Sequence, residues 1–146
     1  MEKLEFSVII DAPREKVWST LWNDSTYREW TSVFSEGSSA ETDWKKGSKI
    51  LFTDGKGSGM VSKVADNVPN EFMSIEHLGV LKDGVEDLES PEVQKWAGSH
   101  ENYTLKTVDG KTEVKVDLDM NDEYKSYFQD TFPKALDKLK SVAERN

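Results

Sequence analysis

The chain of 146 residues contains no cysteine. That excludes disulfides, thiolate nucleophiles and cysteine-ligated metals. It has only two histidines, His77 and His100, so a histidine metal pair would need both, close together and joined by a carboxylate. No apolar run approaches the roughly 18 residues of a membrane span. The first sixteen residues alternate charged and apolar types and lack an apolar leader core. The expected location is therefore the cytoplasm. Basic residues are outnumbered, 19 against 28 acidic, and the net charge of −9 would repel a phosphate backbone or an anionic bilayer. Nucleic acid and membrane are thus not expected partners.

What is present is a rich aromatic set, with 5 Trp, 6 Phe and 4 Tyr. Disordered chains are poor in such residues, and the length suits one domain over residues 1–146. Leu4, Phe6, Val8 and Ile10 alternate with polar neighbours and predict a half-buried strand. Pro13 opens a short helix to Trp22, carrying Val17, Trp18 and Leu21, and Ser25 is placed to cap a second carrying Tyr27, Trp30, Val33 and Phe34. A meander follows over 38–44, 48–54, 59–66 and 71–80, with Asp54-Gly55-Lys56-Gly57 as its strongest hairpin turn. Residues 85–98 are acidic and aperiodic, and predict a long connection with one helical turn near Pro91 to Trp96. Residues 100–108 and 111–120 form a hairpin, with Val114, Val116, Leu118 and Met120 on one face. From Asp122, its proposed cap, apolar residues recur in steps of three and four: Tyr124, Tyr127, Phe128, Phe132, Leu136, Leu139 and Val142. This is a long amphipathic helix, with Pro133 predicting a kink.

Strands in a run followed by one long helix predict an α+β layer structure. The expected architecture is a curved antiparallel sheet of six to seven strands wrapped around the C-terminal helix, with two short helices after the first strand. A sheet and helix so arranged leave room between them for a ligand cavity.

The ordered set Ile10-Asp11-Ala12-Pro13, Val17-Trp18, Leu21, Tyr27, Trp30, Trp44, Gly47-Ser48-Lys49-Ile50, Gly59-Met60-Val61, Trp96, Glu101-Asn102-Tyr103-Thr104-Leu105 and Phe132-Pro133-Lys134-Ala135-Leu136 resembles a known family. It is similar to the SRPBCC (START/Bet v 1-like) superfamily, in the bacterial branch related to the activator of heat-shock protein 90 ATPase. The resemblance implies the helix-grip fold and a hydrophobic cavity with varied cargo. It carries over no universal catalytic residue.

Candidate cavity-lining residues are Trp30, Phe34, Glu76, His77, Trp96, Tyr103, Tyr127 and Phe128. Glu76 and His77 alternate, so one of the two faces inward. Glu101 shares a face with Tyr103, and exposure at the strand end is expected because a buried carboxylate needs a partner. The glycines 55, 57 and 59 lack the Lys-Ser/Thr and following helix of a phosphate loop. No G-x-S-x-G elbow and no acid–base spacing stands out. No cofactor, metal or catalytic residue is expected. The leading expectation is a module that binds a small hydrophobic or aromatic ligand, as a monomer or weak dimer. The alternatives are a protein-interaction module of co-chaperone type, or an enzyme on a hydrophobic substrate using His77 or Glu76 to carry protons.

Overall fold

A computed structural model describes residues 2–145. Met1, the start of the stretch read for a leader, and Asn146 lie outside the described residues. The order is β1 (Glu2–Ile10), α1 (Arg14–Trp22), α2 (Asp24–Thr31), β2 (Ser39–Glu41), β3 (Lys49–Thr53), β4 (Gly59–Val68), β5 (Phe72–Lys82), β6 (Val85–Asp87), α3 (Pro91–Gln94), β7 (His100–Val108), β8 (Lys111–Met120) and α4 (Asp122–Ala143). The strands form one antiparallel sheet ordered β1-β8-β7-β5-β4-β3-β2, with β6 pairing β5 off that path. This is the expected α+β helix-grip layout. The eighth strand, β6, lies in the stretch read as connection. Its three residues are too few to show a period, and pairing to β5 defines it instead.

Local chemistry sets the element ends. Pro13, extended at φ −70° and ψ 159°, stops β1 and opens α1. Asn23, not Ser25, caps α2, and Asn121, not Asp122, caps α4 by accepting from the Tyr124 N–H. The helix α4 is a single 22-residue element with Pro133 inside it.

The concave face carries the core. Phe6 of β1 stacks on Phe132 of α4 at 5.1 Å, and Phe34 meets Phe132 edge-on at 5.2 Å. Ala135, Leu136, Leu139 and Ala143 complete the buried stripe of α4. Its first ten residues differ. None is fully buried, and Tyr124 and Tyr127 are 49% and 47% exposed. The far end of α4 is tied to the β1–α1 corner. The Asp11 N–H donates to Glu144 Oε2 at 2.9 Å, Lys16 donates to the Arg145 carbonyl, and Arg145 pairs with Glu29 at 3.0 Å. β6 extends the sheet beside the end of β5, and α3 packs near β5 with Val93 buried.

Candidate functional site

Antiparallel register aligns side chains in rows across the sheet. One row runs Leu4, Leu118, Glu101, Ile75, Val64. All but Glu101 are buried and apolar. Glu101 is thus a carboxylate inside an otherwise apolar row of the concave face. The adjoining row is Ile50, Ser62, His77, and the one on the other side is Phe6, Val116, Tyr103, Met73.

The four polar groups Ser62, His77, Glu101 and Tyr103 bond in a chain. His77 Nε2 lies 3.0 Å from Glu101 Oε1, His77 Nδ1 lies 2.7 Å from Ser62 Oγ, and the Tyr103 hydroxyl donates to Glu101 Oε2. Burial pushes the Glu101 carboxyl up. The hydrogen bond and charge of His77, with the Tyr103 hydroxyl, outweigh it and hold the group below its ordinary value. An ionised carboxylate only accepts, so His77 Nε2 carries the proton it shares with Glu101. The other ring nitrogen, Nδ1, bonds the Ser62 hydroxyl. Burial, and then the Glu101 charge, raise the Tyr103 hydroxyl well above its ordinary value and raise Tyr27 as well. Tyr27 therefore lies within the field of the same carboxylate.

The geometry does not place Ser62 as a nucleophile. Ser62 is 0% exposed, so no substrate reaches its hydroxyl. The His77 and Glu101 side chains keep 13% and 20% exposure. Phe52 meets the His77 ring at 6.1 Å, and Phe34, Phe52, Phe128 and Met120 are half-buried hydrophobics packed on the core. The arrangement is a carboxylate acceptor bonded to an imidazole, partly exposed to solvent and next to the Phe52 ring.

The structure resolves the alternation on β5. His77 faces inward, while Glu76 faces outward and pairs with Lys63 at 3.5 Å. His100 sits opposite Glu76, so the two histidines lie on opposite faces. A β-bulge between the Val61–Gly79 and Ser62–His77 pairs adds Leu78 on β5 beside His77. Trp30 is 1% exposed, with its indole N–H donating to the Leu21 carbonyl at 3.1 Å, and it packs in the core. Tyr103 is a core ring with its hydroxyl on Glu101. Phe34 and Phe128 sit 6.1 Å apart, half-buried. Tyr127 lies outside, donating from its hydroxyl to the Phe34 carbonyl at 3.3 Å. Trp96, in the turn after α3, stands outside the core cluster. Glu101 is not the exposed strand end expected of it, because His77 and Tyr103 provide the partners that burial demands. Ser62 escaped notice in the sequence, although it alternates with Met60 and Val64 on an apolar face.

The profile of the activator of Hsp90 ATPase homolog 1-like proteins matches residues 11–144. The chain belongs to that family. Solved structures share its fold. A protein from Colwellia psychrerythraea, described as an Aha1 dimer, is 22% identical with a TM-score of 0.74, over 99% of this chain and 97% of the other. Protein MLL2253 from Mesorhizobium loti is 17% identical with a TM-score of 0.76, over 99% and 98%. Protein ChR145 from Cytophaga hutchinsonii is 20% identical with a TM-score of 0.72, over 99% and 94%. No curated protein matches the chain. Among the described residues no helix is long and apolar enough to cross a membrane.

Proposed function

We propose that this family member is a cytoplasmic, single-domain binding module for a small ligand with an apolar or aromatic body. The ligand's polar end bonds to Glu101 and His77 on the concave face, and its body lies against Phe52 and the half-buried rings of Phe34 and Phe128. The observation that supports this is Glu101 itself. A carboxylate taken out of water is costly beside a well-packed apolar residue, so its presence in an apolar row points to use. Its residual exposure gives that use an opening. Each carboxylate oxygen already accepts one bond and has a lone pair left, so the ligand presents a hydroxyl or N–H donor. Trp30, Tyr103, Glu76, Trp96 and Tyr127 have no part in this contact.

Native mass spectrometry and thermal shift with fatty acids, flavonoids and sterols test it. Binding that weakens in Glu101→Gln supports the reading. No bound species and no stabilisation by any of them would sink it.

The exposed Tyr124 and Tyr127 on the unburied half of α4 favour a second reading, a protein-interaction face. The dimer described for the Colwellia relative makes self-association the first form of it to measure.

A further inference from the structure

The sheet does not close on itself. β1 and β2 end the strand order and do not pair with each other. An edge strand is a template for another chain, and proteins blunt it with shortness, bulges or proline. β2 is blunted, with only three residues. β1 has nine, in unbroken register with β8 and without a proline.

The ladder decides which backbone groups of β1 face outward. The Leu105 N–H donates to the Glu71 carbonyl just before β5, so odd-numbered residues of β7 turn their N–H and C=O toward β5 and even-numbered ones toward β8. The two-residue Asp109-Gly110 turn, with both residues at positive φ, gives the same phase, because it closes Val108 and Lys111 as a hydrogen-bonded pair. Carried across β8, the alternation makes the even-numbered residues of β1 bond β8. Lys3, Glu5, Ser7 and Ile9 therefore present their N–H and C=O to the open edge. All four are exposed, whereas α4 packs on the opposite, concave face through Phe6 and Phe132.

The charges on this edge complement one another. Glu5 stands opposite Asp117 of β8, a like charge, and no cation among the described residues pairs with it. Lys3 reaches Asp117 at 3.5 Å and stays 57% exposed. A two-fold axis brings the β1 strands of two copies together antiparallel. Centring the axis on Leu4 sets Lys3 of each copy directly opposite Glu5 of the other. Centring it on Lys3 or Glu5 sets like charges face to face, and centring it on Phe6 leaves Lys3 against Ile9. Opposite charges directly across a ladder stabilise and like charges destabilise, so the Leu4-centred register is favoured. We infer that β1 pairs with β1 of a second copy in this register, joining the two sheets through the outward backbone groups of Lys3 and Glu5 and through ion pairs between their side chains. This surface is separate from the Tyr124 and Tyr127 face. The net charge of −9 on each copy opposes the contact and keeps it weak.

Sedimentation equilibrium of the whole protein at concentrations up to about 1 mM tests it, a range that reveals even weak dimers. The expected result is a concentration-dependent dimer. Lys3→Glu and Glu5→Lys each put like charges into both symmetric pairs and should weaken it about tenfold or more. An equimolar mixture of the two variants restores opposite charges in every pair and should regain association, although both chains remain net negative. Glu5→Pro removes an N–H that faces the open edge and none that bonds β8. It should abolish the dimer and leave the circular dichroism unchanged. A strict monomer up to about 1 mM overturns the inference, as does a mixture no tighter than either variant alone. A dimer that both reversals leave intact overturns it too. Should that dimer be lost when Tyr124→Ser and Tyr127→Ser are combined, the contact is the α4 face, and the interaction reading stands while the β1 pairing fails.

Discussion

His77 Nε2 stands 3.0 Å from Glu101 Oε1 across two paired strands, on a face otherwise made mainly of apolar side chains. Removing one partner leaves the other buried and uncompensated. Glu101→Leu or His77→Leu alone should destabilise by about 3 kcal/mol, the low end for breaking a buried pair, because both side chains retain some solvent contact. The double replacement should cost less than the sum of the two. Urea unfolding of the four proteins measures the coupling directly.

The same carboxyl sets an acid limit. Its folded value lies below its ordinary value of 4.5. A carboxyl so lowered stabilises the fold at pH values above its unfolded pKa, and that contribution is lost as pH falls through the folded one. Wild type should therefore lose stability faster than Glu101→Gln as pH drops below about 4.5. Other lowered carboxyls, such as Glu144 and Asp54, lie in both proteins and cancel in the difference. Parallel curves of stability against pH would show that Glu101 is not ionised in the fold.

The helix-grip architecture was legible because its signals are local. Alternation on β1 and β8 and the steps of three and four on α4 are each written in one segment. The candidate site is written across three strands. Ser62, His77 and Glu101 are 15 and 24 residues apart, and only register makes them neighbours. The bulge at Leu78 depends on pairing with β4, so no pattern within β5 alone announces it. Period gave Glu101 its correct face, yet its burial depended on a histidine on another strand. The apolar spacing that placed Tyr124 and Tyr127 on the gripping stripe was correct for helix type. It could not tell that the core ends before them.

Gly59 opens β4 where only a bare backbone fits. A Cβ there would lie 1.7 Å from the Phe52 carbonyl oxygen. The obstacle is backbone in the paired strand β3, which cannot turn aside. Gly59→Ala should destabilise by about 3 kcal/mol or more, the upper range for overpacking. Gly110, with open space around it but φ +80°, isolates the conformational cost alone. Gly110→Ala should cost about 1 kcal/mol. Thermal unfolding that ranks the two in the opposite order would contradict the close approach of β3 and β4.

The helix α4 should behave as two halves. Phe132 is buried against Phe6 and Phe34, whereas Tyr127 touches the body through one hydroxyl and its ring neighbour Phe128. Phe132→Ala empties a filled space and should cost about 3–5 kcal/mol. Tyr127→Ala removes an exposed ring and should change stability by less than about 0.5 kcal/mol. The backbone follows the same division. Pro133 has no N–H for the Gln129 carbonyl, so the ladder is interrupted where burial begins. Amides of residues 126–130 should exchange with solvent well before those of residues 135–142, because opening the first half exposes little apolar surface. Equal protection along the whole helix would mean that its first turns are held by contacts stronger than those of Tyr127.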